Sequence, residues 1–298
     1  MKKNIILGFI LLLLIVVGYL YNGPIKKWRQ DSLKPENFFS KLQTEDIDRI
    51  EIENKSKTVL VKKGDSWQVQ GKDNFKASPE KITEALEQLN SAKKTQLDLI
   101  STNKDKKSTF NTDKSGTEVM LYNNDKLLLD FIVGKLTDDY LGTYVSATSS
   151  DETYKIDVDF NSIFTEGEWR DTVITSLDKE KINKIRIQLS SAEYKIEKKN
   201  GEWFVGTAKL NKEKVNKIVD LLSNLKATEI PEQNFSPTGL DKSTVIVQAT
   251  GDGVDRTIMI GKDNGKEQYY AKSGDSDSIY LISKDIREEL NKVPEQLK

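Results

Sequence analysis

Cysteine and histidine are both absent from the 298 residues. Without cysteine there is no disulfide framework, no thiolate nucleophile, no iron–sulfur cluster and no cysteine-based zinc site. Without histidine there is no imidazole base, no Ser-His-Asp or Cys-His pair and no common transition-metal ligand. An excess of either charge is missing too: 46 Lys+Arg stand against 47 Asp+Glu, a formal charge of −1. A nucleic-acid binder needs a basic surface to release counterions from phosphates, so that class is excluded. Hydrophobic residues at 36% with charged residues at 31% fit a folded soluble portion better than a polytopic membrane protein. The length accommodates two domains of roughly 100–200 residues each. These counts name no reaction; they direct attention to location and architecture.

One long apolar run is present. From Ile5 to Tyr21 no residue is charged, and Gly8 and Gly18 are the only interruptions. As a helix this run spans roughly 26 Å, close to the ~30 Å hydrocarbon core of a bilayer. Asn4, Asn22 and the flanking lysines then meet the interfaces, with Tyr19 and Tyr21 in one aromatic belt. Lys2-Lys3 ahead of an apolar run is also the pattern of a cleaved signal peptide. The segment Val17-Gly18-Tyr19-Leu20-Tyr21-Asn22 lacks a small-x-small cleavage site, and no cysteine is available for a lipid anchor. The expectation is an uncleaved anchor over residues 1–22 that meets membrane lipid through residues 4–22. Lys26, Lys27 and Arg29 nearly balance the charge before the span. The very short leader favours a single-pass protein with its C-terminal bulk extracytoplasmic.

Walking the chain for self-similarity reveals a repeat. Ile47-x-x-Ile50-x-Ile52 recurs as Ile182-x-x-Ile185-x-Ile187, an offset of 135. The hairpin-like segment around Gly64-Asp65-Ser66-Trp67 recurs around Asn200-Gly201-Glu202-Trp203, offset 136. The stripe Ile82, Leu86, Leu89 recurs as Val215, Val219, Leu222 at offset 133, and Asp113-Lys114-Ser115 as Asp241-Lys242-Ser243 at 128. Val133-Gly134-Lys135 recurs as Ile260-Gly261-Lys262 at 127, and Tyr144 and Tyr154 as Tyr270 and Tyr280 at 126. Six matches in one order, with a slowly drifting offset, describe two tandem copies separated by loop insertions and deletions.

Each copy reads as strands, helix, strands. Residues 47–53 alternate isoleucine with charge, the pattern of a half-buried strand. A hairpin follows, turning at Gly64-Asp65 or at Asn200-Gly201, both suited to φ > 0. Ser78-Pro79 opens a helix whose buried stripe is Ile82, Leu86, Leu89 and Ala92; Asn211 caps its counterpart, expected to run to about Leu225. Strands are then expected at 117–122, 127–133 and 142–147, and at 244–249, 255–260 and 268–272. A closing strand follows at 152–157 and 278–282. The fold class is α+β: an N-terminal transmembrane helix, then two tandem homologous units, each an antiparallel sheet with one main covering helix. The domains are an anchor at 1–22, a juxtamembrane segment at 23–45, a first repeat at 46–160, a structured connector at 161–180 and a second repeat at 181–292. Trp169-Arg170-Asp171 in the connector echoes Trp28-Arg29-Gln30-Asp31, and the connector lacks the Gly/Ser/Pro richness of a flexible linker.

These residues resemble the bacterial family known as domain of unknown function 4340. The resemblance rests on Trp67 and Trp203, the helix after each, and Thr238-Gly239-Leu240-Asp241-Lys242-Ser243 leading into a strand. It continues through Ile258-Met259-Ile260-Gly261, Tyr269-Tyr270 and Ile279-Tyr280, and covers about residues 46–292. The first copy departs from the pattern at Phe110-Asn111-Thr112, where a Gly-Leu is expected. The resemblance implies a membrane-anchored, tandem-repeat protein of a family often encoded beside ABC-transporter genes of the gliding-motility type. It thereby implies an accessory role with ABC-type permease and ATPase subunits as partners.

Candidate chemistry is thin. Asp275-Ser276-Asp277-Ser278 begins like a calcium loop, but Ile279 occupies the third ligand position, which leaves a polar turn. Asp48 and Glu51 lie between strand isoleucines among Lys and Arg, as on a solvated face; Asp138-Asp139 and Asp151-Glu152 complete the conspicuous carboxylates. Gly134-Lys135 and Gly261-Lys262 lack the remaining spacing of a phosphate loop and suit a tight turn or bulge. No catalytic, metal or cofactor residue is assigned. Trp67, Tyr144, Tyr154, Trp203, Tyr270 and Tyr280 form the candidate interaction surface, weighed against the alternative that matched aromatics complete two matched cores. The leading expectation is a non-enzymatic extracytoplasmic accessory protein in the cell membrane. The alternatives are a binding module for a cell-envelope glycan or peptide, and a hydrolase using carboxylates.

Overall fold

The computed structural model describes residues 36–71, 73–165 and 167–298. The anchor expected at 1–22 lies outside them, as does most of the juxtamembrane segment. Among the described residues no helix is long and apolar enough to cross a membrane.

The first repeat runs β1 (Arg49–Glu53), β2 (Lys57–Lys63), β3 (Ser66–Val69), the short β4 (Phe75–Lys76), α1 (Pro79–Lys94) and β5 (Asp98–Ser101). A 3-10 turn (Lys104–Phe110) leads to β6 (Thr117–Asn123), β7 (Lys126–Leu136), β8 (Thr143–Ala147), β9 (Thr153–Ile156) and the one-turn helix α2 (Asn161–Phe164). The second repeat opens with β10 (Val173–Ser176) and continues through β11 (Ile182–Leu189), β12 (Glu193–Lys199), β13 (Glu202–Val205), β14 (Ala208–Lys209) and α3 (Lys212–Ser223). It closes with β15 (Asn224–Lys226), β16 (Val245–Gly251), β17 (Val254–Asp263), β18 (Gln268–Ser273), β19 (Tyr280–Ser283) and α4 (Lys284–Leu290). Within the first unit the strand order is β3-β2-β1-β6-β7-β8-β9-β5, and within the second β14-β13-β12-β11-β16-β17-β18-β19. Both are antiparallel throughout the described pairings. The two copies seen in the sequence are therefore one topology used twice.

The isoleucine triplets explain why. In β1, Ile50 faces Leu60 on one neighbour and Leu121 on the other, and Ile52 faces Val119. All of these are buried. In β11, Ile185 meets Ile196 and Ala249, and Ile187 meets Val247. Period-two alternation sends this row to one face of each sheet, where the helix stripe covers it. Ile82, Ala85, Leu89 and Ala92 are the buried positions of α1; Ala85 takes the place expected for Leu86, which is half-buried. In α3 the stripe is Val215, Ile218, Val219 and Leu222. Asn211 caps α3 through its side-chain oxygen, which accepts from the N–H groups of Glu213 and Lys214 at 3.0 and 3.2 Å.

This helix ends earlier than the periodicity suggests. Leu222 and Ser223 give their carbonyls to the Thr175 hydroxyl and the Leu177 N–H, and residues 224–226 leave the helix to pair with β10. The connector contains a strand as well as a helical turn, and tertiary partners end the helix where local propensity would extend it.

Two compact units result. One holds the described residues up to Gln70 together with Pro79–Trp169; the other holds Gly71–Ser78 and Arg170–Lys298. Phe39 and Leu42 belong to the first core, and Leu297 to the second. The drop in repeat offset from 136 to 133 marks three extra residues in the first copy between Trp67 and Pro79. That longer turn carries Asp73 and Asn74 at φ 55° and 51°, and delivers Phe75 to the core of the second unit, 5.7 Å from the Tyr280 ring.

The first core is aromatic: Phe39, Phe131, Phe160 and Phe164 lie with ring centroids 5.0–6.3 Å apart. The second places Ile258 where the first has Phe131, and is otherwise mostly aliphatic.

Trp203 is 1% exposed, and its Nε1 has no hydrogen-bond partner among the described residues. Trp203→Ala is expected to cost about 3–5 kcal/mol in urea unfolding, and Trp203→Phe clearly less, because it removes the orphan donor along with part of the volume. Phe75→Ala should lower hydrogen-exchange protection in α3 and β19 and leave β6 and β7 protected, although residue 75 sits inside the first repeat.

Candidate interaction surface

The six aromatic residues singled out in the sequence are positioned by strands of the two sheets. Trp67 lies on β3 and Trp203 on β13; Tyr144 and Tyr154 lie on β8 and β9; Tyr270 and Tyr280 lie on β18 and β19. Five of them are buried and Tyr270 is half-buried. They are not brought together. In the first sheet β2, β1, β6 and β7 separate Trp67 from Tyr144. Tyr144 packs on Phe110 at 4.7 Å, and burial followed by the Asp138 charge raises its pKa. Tyr154 donates its hydroxyl to Glu152; burial and that bond push its pKa up to about 12. Five of the six therefore lie in the cores, Tyr154 with its polar tip bonded and Trp203 with its donor left over.

The carboxylates are likewise engaged within the chain. Glu51 meets Lys57 at 2.7 Å and Arg49 at 3.3 Å, and Asp48 accepts from the Asn124 N–H at 2.7 Å. Asp275 takes the Ser273 hydroxyl and pairs with Arg256, while Asp277 lies 3.6 Å from Lys272. Among the described residues no group of three acidic side chains could hold a metal ion.

Gly134 and Gly261 sit at matched bulges of β7 and β17. A Cβ there would lie 2.3 Å from Phe110 O and 2.2 Å from Thr238 O. The repeated Gly-Lys thus marks a close backbone approach, as the bulge reading anticipated.

A buried lysine escaped the sequence reading. Lys107 is 8% exposed and donates its ammonium to Ser150 O at 2.6 Å. Burial lowers its pKa. No periodicity signals it, because the side chain lies on a 3-10 turn.

What remains open is different from what the sequence suggested. Among the described residues the large exposed apolar side chains are Leu99 and Ile100 on β5, Leu127 on β7, Tyr140 and Leu141 between β7 and β8, and Phe235. Tyr140 at 79% and Leu141 at 72% are the most exposed of them. The first sheet ends in β8-β9-β5, so β5 is an edge strand, while the Tyr140–Leu141 loop joins the interior strands β7 and β8. In the second unit a polar cleft of about 590 Å³ is lined by residues including Asp73, Arg170, Glu229 and Gln233. Gln233 is held there by Ile279, through its amide oxygen at 2.8 Å and its amide nitrogen at 3.0 Å.

The open face of the first sheet also carries a strained acidic row. Glu53 lies directly opposite Glu118, and burial first, then Asp130, raises the Glu118 pKa. The folded state therefore holds this proton more tightly than the unfolded chain. The stability it contributes is full below the ordinary glutamate range and is lost as pH rises through the raised value. Glu118→Gln should stabilise the protein at pH 7 by up to about 1 kcal/mol. In thermal melts the gain should shrink to nothing as the pH falls below about 4.

No curated protein and no solved structure matched this chain. A family model described as domain of unknown function (DUF4340) matched twice, over residues 67–242 and 205–297. The two matches begin within a few residues of the hairpin tryptophans, at corresponding places in the two repeats. With most of the chain covered by this model and the same topology present in both copies, the protein belongs to the DUF4340 family.

Proposed function

We propose that the protein is a non-enzymatic, membrane-anchored accessory or interaction protein of the cell envelope, held to an ABC-type transport complex. The observation that carries the interaction reading is the apolar exposure on the edge strand β5 and on the β7–β8 loop. There the chain exposes Leu99, Ile100, Tyr140 and Leu141 while its matched aromatics fill the cores. Exposed apolar groups and an edge strand are what a docking partner uses. The apolar run Ile5–Tyr21 supports the anchor and the extracytoplasmic placement of the folded units. The absence of histidine and cysteine from the sequence supports a non-enzymatic role. The ABC-type permease and ATPase rest on the family resemblance. The second reading, a module for a cell-envelope glycan or peptide, is favoured by the polar cleft beside Arg170 and Glu229.

Gentle detergent extraction of the tagged full-length chain separates the two readings. Stoichiometric co-purification of a permease and an ATPase is expected. Recovery of the chain alone, with a glycan or peptide that Glu229→Ala and Gln233→Ala release, would replace the first reading by the second.

A further inference from the structure

The tandem repeat supplies an internal control for what the fold itself demands. The β7–β8 loop and its counterpart between β17 and β18 close in the same way: Thr137 N–H donates to Gly142 O at 2.9 Å, and Asn264 N–H to Gln268 O at 2.8 Å. Tyr140 and Glu267 occupy the same place, both at φ 58°. The second loop reads Asp263-Asn264-Gly265-Lys266-Glu267 and is polar throughout; the first substitutes tyrosine and adds one residue, Leu141. Neither apolar side chain is therefore needed to build the turn.

The loop is held rigidly. The Asp139 carboxylate accepts from the Thr137 hydroxyl at 2.5 Å and the Leu141 N–H at 3.2 Å, and pairs with Lys155 at 2.8 Å. Gly142 N–H donates to Thr137 Oγ1 at 3.0 Å. Gly142 also presses on the adjacent strand, where a Cβ would lie 2.2 Å from Ile156 O. These bonds tie down the backbone that presents Tyr140 and Leu141 to solvent, which lowers the ordering left to be done on association.

The charges around the tip select the partner. Asp138 and Asp139 precede it, Asp157 lies 3.3 Å from Lys155, Asp98 stands opposite Lys155 in the β5–β9 register, and Asp159 follows. Lys155 and Lys135 are the cations nearby, and the Lys135 ammonium lies about 6 Å from the rings of Phe110 and Tyr144. The rim is net acidic. An anionic bilayer and a second copy of the same tip are both repelled by it. We propose that Tyr140 and Leu141 are the anchor by which this chain docks a partner protein, one that offers an apolar socket edged with lysine or arginine. An exposed tyrosine ringed by polar groups is a common anchor in binding hot spots.

This inference rests on the interaction reading above, and one experiment separates their failures. Full-length protein carrying photoreactive benzoylphenylalanine in place of Tyr140 is compared in its own cells with one carrying it in place of Glu267. Co-purification in detergent is measured in parallel for wild type, Tyr140→Ser/Leu141→Ser, Asp138→Lys/Asp157→Lys and Glu267→Ser, with melting temperature as the folding control. The expected result is one protein adduct from position 140, none from 267, on the same chain that co-purifies with wild type. Its recovery should fall at least tenfold in both double variants, stay level in Glu267→Ser, and decline with salt. Undiminished recovery with Tyr140→Ser/Leu141→Ser overturns the docking site and leaves the interaction reading standing. No co-purifying chain with wild type overturns both. An adduct to lipid or to a second copy overturns the proposed partner chemistry.

Discussion

An antiparallel sheet has two faces, and each unit of this protein has one main helix to cover one of them. That asymmetry organises the rest. The isoleucines of β1 and β11 must share a face with the helix stripe, so every strand beside them alternates in phase, and the opposite face is left to charged and polar residues. The Arg49 guanidinium lies over the Tyr122 ring at 4.1 Å on that open face, and Arg186 bonds Glu193 at 3.0 and 2.9 Å on its counterpart. Paired charges of this kind keep an uncovered sheet soluble without asking it to bind anything.

The two copies meet this requirement with different materials. The first unit fills its space with phenylalanines from residues 39, 131, 160 and 164; the second uses isoleucine, valine and leucine, with Leu290 from α4 and Leu297 from the last turn. The one-turn helix α2 follows β9 as α4 follows β19, and it belongs to the first unit, whereas β10 belongs to the second. Divergence in filling under a constant topology is what a duplicated core tolerates, since volume and pattern matter more than identity. Divergence at the surface carries more meaning. A loop that closes with the same hydrogen bond in both copies, yet exposes Tyr140 and Leu141 in one and Glu267 in the other, has been freed from the fold's demands and turned to another use.

Much of the architecture was legible in the residues. The isoleucine triplets, the hairpin turns at Gly64 and Asn200-Gly201, and the Asn211 cap are local signals, each decided within a few residues of chain. The candidate aromatics were legible as a matched set, but not their burial, because a tyrosine in a strand looks the same whether its sheet face is covered or open. Lys107, the Tyr140–Leu141 tip and the unit to which Phe75 belongs were not legible. Each depends on partners distant in sequence: Ser150 for Lys107, Lys155 for the loop around Asp139, and Tyr280 for Phe75.

The sequence by itself determined the duplication, the α+β class and the order of strands and helix, because periodicity and turn chemistry act over short distances. It also excluded cysteine and histidine chemistry by composition alone. Only the tertiary structure decided where α3 stops, which unit holds residues 71–78, and which apolar side chains are left in water. Those outcomes follow from long-range pairing, in which a strand such as β10 or a side chain such as Phe75 meets groups far along the chain, and packing overrides the preference of the local sequence.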